Sequence, residues 1–275
     1  MVELGKKQTL KVMRIKDFGV YVGDEEQTVL LPKKYVPEGT HMGDDIDVFI
    51  YRDSSDRIIA TTLSPLVTLG ETAVLTVKEI TNLGAFLDWG LEKDLFLPYK
   101  EQTVNLRPGK QCPVALYIDK SGRLCATMKI YNYLTGESEY QKDDTVTGVV
   151  YQINPKMGVF VAVDMKYHGM IPVKNAHGNH RVGDTVTARV VKVREDGKLE
   201  LSQNDRVEVQ ISKDAQIVME ALESYDGVLP FTEKASPEVI DRELAMSKAA
   251  FKRAVGHLLK MRMIVIENGK IRLVK

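Results

Sequence analysis

Four aromatic residues stand at recurring places in this sequence: Phe18, Tyr21, Phe86 and Phe160. Flat rings displayed on a protein surface stack on other π-faces, nucleobases among them, for about 1–3 kcal/mol per base. Lys33, Lys34, Arg57 and Arg123 fall near these rings in the chain, where cationic heads could neutralise phosphates. A second group, Lys248, Lys252, Arg253, Lys260 and Arg262 with His257 among them, occupies a stretch from Glu243 to Glu267 with no acid in between. On a recognition helix such residues meet phosphates and base edges. Each group has a plainer alternative. Rings also pack against neighbouring domains, surface lysines and arginines are commonly just solvated, and a basic helix can bind protein.

Bond-breaking chemistry finds less support. His177 and His180 are three apart, with no acid or cysteine at ligand spacing. The acidic pairs Asp44-Asp45 and Asp143-Asp144 have no matching carboxylates elsewhere. The sequence contains no Gly-x-x-x-x-Gly-Lys loop, no Gly-x-Ser-x-Gly and no His-Glu-x-x-His. Cys112 and Cys125 form no Cys-x-x-Cys pair and read as two buried free thiols. The expectation is a chain that is not an enzyme and uses no metal or cofactor.

The elements that position the rings repeat. Phe18-Gly19-Val20-Tyr21-Val22, Leu83-Gly84-Ala85-Phe86-Leu87 and Met157-Gly158-Val159-Phe160-Val161 align, their glycines 65 and then 74 residues apart. The prolines of Leu30-Leu31-Pro32, Phe96-Leu97-Pro98 and Met170-Ile171-Pro172 are 66 and 74 apart, as are the glycines of Gly43-Asp44, Gly109-Lys110 and Gly183-Asp184. Three landmarks holding nearly one offset define three copies of one unit. Each copy reads as five short strands bounded by Gly, Pro, Asp and Ser. Closing five strands into a small barrel removes exposed edges, and the oligonucleotide-binding (OB) barrel is the natural candidate. With Val20 and Val22 pointing inward, Tyr21 points out, and the same parity exposes Phe86 and Phe160. Phe18 shares the core parity and reaches that face only through a bulge at Gly19, while Trp89 is expected in the core. Ser64-Pro65-Leu66 and Leu134-Thr135-Gly136-Glu137-Ser138 read as short tethers that raise the effective concentration of the next barrel.

After Gln203 the pattern becomes helical. Ser212 can cap a first helix with the stripe Ile217, Val218, Ala221, Leu222 and Tyr225, ending at Asp226-Gly227. Ser236-Pro237 starts a second helix. Ser247 can cap a third, whose buried face is Phe251, Ala254, Val255 and Leu258. Asn268-Gly269 marks a terminal hairpin. The predicted fold is mainly β with a C-terminal α+β domain: barrels over 1–64, 67–134 and 142–207, then a winged helix-turn-helix over 210–275.

Composition fits a soluble globular chain of 275 residues, 44% hydrophobic and 28% charged. Lys plus Arg and Asp plus Glu are both 38, so nothing drives indiscriminate phosphate binding and charge must act locally. No apolar run approaches the ~18 residues of a membrane span, and the first residues lack a signal-peptide core. A cytoplasmic monomer without membrane contact is expected.

The three blocks resemble the RNA-binding repeat of the largest ribosomal small-subunit protein, the S-one domain. The full order, three such repeats and a C-terminal winged helix, is similar to the bacterial conserved virulence factor B family, with Met246-Ser247-Lys248-Ala249-Ala250-Phe251-Lys252-Arg253-Ala254-Val255-Gly256 its most family-like stretch. The resemblance implies RNA binding and a post-transcriptional or virulence-gene regulatory role in a bacterial cytoplasm; the outward rings point to single-stranded RNA, and the alternatives are a protein-interaction adaptor of the translation or RNA-decay machinery, with the barrels as spacers, or a DNA-binding regulator acting through the winged helix. Only the first repeat carries both aromatics of the ribosomal pattern, Phe18 and Tyr21, and its histidine position aligns with Pro32, Pro98 and Pro172.

Overall fold

The computed structural model describes residues 2–204 and 207–274, the side chains of 207–212 excepted. They fall into two compact units, Met1–Asn204 and Asp205–Lys275.

In the first unit, β1 (Lys7–Lys16), β2 (Gly19–Gly23), β3 (Thr28–Pro32), β4 (Asp45–Arg52) and β5 (Ile58–Thr61) close into a barrel in the order β1-β2-β3-β5-β4. A second set follows: β6 (Thr72–Ile80), β7 (Gly84–Asp88), β8 (Leu95–Pro98), β9 (Gln111–Ile118) and β10 (Leu124–Thr127). The third barrel, again closed, comprises β11 (Thr145–Asn154), β12 (Gly158–Val163), β13 (Tyr167–Pro172), β14 (Thr185–Val193) and β15 (Leu199–Ser202). Alternation along each second strand sends Val20 and Val22, Ala85 and Leu87, and Val159 and Val161 into the cores, all at 5% exposure or less. The repeating glycines have a steric cause. A Cβ at Gly19, Gly84 or Gly158 would lie 2.3, 2.4 or 2.0 Å from the carbonyl oxygen of Leu31, Leu97 or Ile171 on the adjacent strand. No side chain fits where the two backbones come that close.

The second set differs from its neighbours in one respect. The first barrel closes through the parallel pair Leu30↔Ile59 and the third through Gly169↔Leu199 and Met170↔Glu200. In the second, the sheet runs β10-β9-β6-β7-β8, leaving β8 and β10 as its two edges with no ladder between them among the described residues. Strands β8 and β10 nonetheless lie side by side as β3 and β5 do, so this barrel closes by packing along that seam and lacks only the ladder.

The barrels of this unit share apolar cores. Trp89 is 3% exposed and packs edge-on against Phe49 and Tyr51 of the first barrel, its indole N–H donating to the Lys93 carbonyl at 2.6 Å. A smaller cluster joins Ala115, Ile130 and Leu134 to Tyr151 and Ala162 of the third barrel. The expected tethers are therefore packed segments. The Leu66 amide donates to the Trp89 carbonyl, Val67 is buried, and Thr135 bridges to Tyr167, so the barrels form a fixed array. Cys112 and Cys125 are both buried and unbridged; burial pushes their thiols up to about 12 and about 11, so they stay protonated at neutral pH.

The second unit is a winged helix: α1 (Val207–Ser224), β16 (Val228–Leu229), α2 (Pro237–Leu244), α3 (Lys248–Lys260), β17 (Ile264–Glu267) and β18 (Lys270–Leu273), the strands ordered β16-β18-β17. The Ser247 hydroxyl caps α3, accepting from the Ala250 N–H at 3.2 Å, and Phe251, Ala254, Val255 and Leu258 are all buried as expected. Asn268 and Gly269 both take positive φ in the hairpin turn. Two details of α1 and α2 differ from expectation. Helix α1 begins at Val207, so Ser212 lies within it, and its buried stripe is Ala215, Val218 and Leu222; Ile217 and Tyr225 are exposed, the Tyr225 hydroxyl donating to Glu243 at 2.7 Å. Ser236 sits at the α2 N-cap without a side-chain capping bond.

Candidate nucleic-acid interface

The outward rings occupy one equivalent position in each barrel, between a bulge on one side and the third strand on the other. The first strand of each barrel slips register, between Val12 and Arg14, Val77 and Glu79, and Val150 and Gln152. That bulge places Arg14 opposite Tyr21, Glu79 opposite Phe86 and Gln152 opposite Phe160. On the far side the ring's partner is Leu30, Phe96 or Met170. These residues lie two before Pro32, Pro98 and Pro172, which pair with the block glycines at the strand ends. The aligned prolines are therefore not the residues that face the rings.

In the first barrel this gives an open platform. Tyr21 is half-buried, Phe18 stands edge-on to it at 6.3 Å, and the Arg14 guanidinium lies 5.3 Å from the Tyr21 ring. Phe18 is 56% exposed and gets there from the turn before β2, where strand parity does not apply, with no bulge at Gly19.

The second barrel offers a pocket. Phe86 and Phe96 meet at 5.3 Å, tilted 41°, on the wall of a cavity of about 360 Å³. Leu95 and Phe96 of β8, Leu124 and Cys125 of β10, and Tyr51, Arg52, Ser54 and Asp56 of the first barrel line it, so it lies between the β8/β10 seam and the first barrel. The aromatic pair gives this cavity a surface on which a ring can stack. Exposed Leu83 forms part of the rim. Three cations also border it, all held by oxygen. Arg52 donates to the carbonyls of Gly122 and Asp56 at 3.1 and 2.7 Å, Lys93 to the Asp53 carbonyl at 2.8 Å, and Arg123 to the Asp56 carboxylate at 2.9 Å. Asp119, on the same wall, is held below the usual carboxylate range by the Ser121 hydroxyl and by the backbone N–H of Arg123 and Ser121, against the opposing effect of burial.

The third barrel presents least. Phe160 is half-buried, 6.1 Å from the buried Tyr151, and packs on the cluster shared with the second barrel. The cations expected near the rings are unequally free. Lys34 pairs with Glu92 and lies 4.9 Å from the Tyr35 ring; Arg57 pairs with Asp53 at 2.7 Å; Lys33 is exposed on the 3-10 turn after β3, without an ion-pair partner among the described residues. Sequence reasoning missed Arg14, Arg52, Lys93 and Phe96. Only Phe96 carried a local signal, its place between inward Leu95 and Leu97.

On the second unit, Arg253 and Lys260 are exposed on the side of α3 opposite Phe251, Ala254, Val255 and Leu258, Lys252 is exposed on its flank, and Lys248 is half-buried at its first turn beside the apolar stripe. Arg253 reaches Asp214 of α1 at 4.0 Å. Arg262 is exposed in the turn beyond the helix, at φ +58°. His177 and His180 contact Asn204 and Gln203, and no group of three or more metal-ligating side chains exists among the described residues.

Fold and site together define a class: S1-type barrels in tandem followed by a winged helix, both nucleic-acid-binding domain types. Family models agree. The S1 domain matches residues 4–63 and 69–129, the second domain of the virulence regulatory factor CvfB matches 132–204, and the CvfB-like winged helix domain matches 216–273. The chain belongs to the conserved virulence factor B family. Conserved virulence factor B of Staphylococcus aureus (strain N315) is 30% identical over 243 residues, 85% of this chain and 81% of that protein. Protein YitL of Bacillus subtilis (strain 168) is 33% identical over 276 residues, 96% and 92% of the two. The crystal structure of a multidomain protein with nucleic acid binding domains from Streptococcus pneumoniae superposes with a TM-score of 0.51 at 26% identity, covering 98% of each chain.

Proposed function

We propose that this protein is a non-catalytic, cytoplasmic, post-transcriptional regulator that binds single-stranded RNA. The observation that carries the reading is the seam cavity. An aromatic pair and bordering cations meet beside the β8/β10 seam in a volume of about 360 Å³, within the range of pockets that enclose small planar groups. A duplex keeps its bases stacked on one another, so only an unpaired base can enter. The first barrel's platform of Phe18, Tyr21 and Arg14 adds a shallower stacking surface on the same rigid array, with Lys33 at its edge. No helix among the described residues is long and apolar enough to cross a membrane.

A second reading has its own observation. Lys252, Arg253 and Lys260 of α3 are exposed to solvent, as a recognition helix would carry them, which fits contact with structured RNA or duplex DNA through the winged helix. The two readings separate in one assay. Fluorescence anisotropy of the intact protein with a labelled oligouridine and with a matched RNA duplex is expected to show tighter binding of the single strand. Equal or tighter binding of the duplex overturns the seam-cavity reading and favours α3.

A further inference from the structure

The turn before the fourth strand of each barrel is built the same way three times. The amide of the residue after the landmark glycine donates to the carbonyl three residues back, from Asp44 to His41, Lys110 to Arg107 and Asp184 to Arg181. The glycines donate to Val12, Val77 and Val150, and the carbonyls of residues 44, 110 and 184 accept from those same valines. In the first and third barrels the aspartate side chain completes the turn, Asp44 accepting from the His41 N–H and Asp184 from the Arg181 N–H, each at 2.7 Å. The segment leading into β11 uses the same device, with Asp144 accepting from the Gln141 N–H at 2.7 Å.

The second barrel places Lys110 at this position. An ammonium cannot accept that bond, so the turn gives up a side-chain cap that the other copies have. Local rules broken in one copy of a repeat mark sites where something other than stability is served. What the lysine joins is a groove of about 680 Å³ where the loop before β9 meets the loop before β14, lined by Arg107, Lys110, Arg181 and Asp184 among others. The two loops are locked together. Val182 is 9% exposed and belongs to the second barrel's core cluster, against which Leu106 also packs, and a Cβ on Gly183 would lie 2.8 Å from the Gln111 carbonyl oxygen. Arg107 and Arg181 are exposed and Lys110 is half-buried; among the described residues none of the three has an acidic partner within ion-pair distance. Arg57, Arg123 and Lys34, near the aromatic faces, all have one. The single acid of the groove, Asp184, is engaged by the Arg181 amide.

We propose that this groove is a phosphate clamp: Arg107, Lys110 and Arg181 hold phosphates of an RNA backbone, independently of base sequence, on a surface separate from the aromatic faces. Three cations against one carboxylate, carried on loops that are packed together, leave the groove net positive, and they release counterions when they bind an anionic chain. The clamp rests on the RNA reading above for the identity of its anion.

The repeat supplies its own control. Lys110→Asp installs the residue that the first and third barrels carry, so it is expected to melt at or above the wild-type temperature. In the intact protein it should bind oligouridine more weakly at low salt. Lys110→Gln should lower the slope of log K against log salt by about 0.7, the value for one phosphate contact on a single strand, and adding Arg107→Gln and Arg181→Gln should lower it by about 2. A Lys110→Asp protein with the wild-type affinity and slope overturns the clamp. If Lys110→Asp weakens binding while Phe86→Ala/Phe96→Ala does not, the clamp stands and the aromatic pocket fails; the opposite result removes the clamp alone.

Discussion

Truncating both rings of the seam, Phe86→Ala/Phe96→Ala, is expected to weaken oligouridine binding roughly 5- to 150-fold. That range corresponds to losing stacking on one base, about 1–3 kcal/mol. Both rings are half-buried on the outer face, while Ala85, Leu87, Leu95 and Leu97 fill the core behind them, so the barrel should keep its fold. The salt slope should not move, because no phosphate contact is removed. This signature is the reverse of that expected for Lys110→Gln, and the two variants together separate stacking from charge. Tyr21→Ala, on an open platform, is expected to lose less than the double variant in the pocket. Anisotropy titrations at several salt concentrations check all of these.

The second large effect concerns stability. Phe251 is fully buried at the centre of the winged-helix core, in contact with Phe231 at 5.9 Å between ring centres. Phe251→Ala is expected to cost about 3–5 kcal/mol through lost burial and the cavity left behind. A unit of this size commonly has only about 4–10 kcal/mol in total, so the substitution should leave it partly or wholly unfolded at room temperature. The chain carries its own reporters. Among the described residues all three α-helices belong to the second unit, and the one tryptophan, Trp89, belongs to the first. Helical circular dichroism should fall while Trp89 emission and oligouridine affinity stay at wild-type values. Loss of Trp89 emission in step with the helical signal would show that the two units do not fold independently.

Much of the architecture was legible from local rules. Period-two alternation placed Tyr21, Phe86 and Trp89 correctly, and 3.6-residue periodicity gave all four buried positions of α3. Landmark spacing gave three barrels because each glycine answers to a backbone contact within its own copy. What stayed hidden depended on distant parts of the chain. Phe160 follows the same parity as Phe86 yet lies against Tyr151 and the cluster between two barrels, which no local pattern records. The packed tethers and the ladder missing between β8 and β10 are likewise consequences of which segments meet. Alternation alone marks Phe96 as outward, whereas only the ladder shows that the aligned proline two residues later, Pro98, faces Gly84. The Lys110 substitution could be seen in the landmarks, and its meaning came from the bonds made by Asp44 and Asp184.

Photo-crosslinking tests the central claim most directly. An oligouridine carrying thiolated bases, irradiated on the intact protein and mapped by mass spectrometry, should attach at Phe86, Phe96 or their neighbours Leu83 and Cys125. Attachment confined to other surfaces, with the seam peptides recovered unmodified, would contradict it.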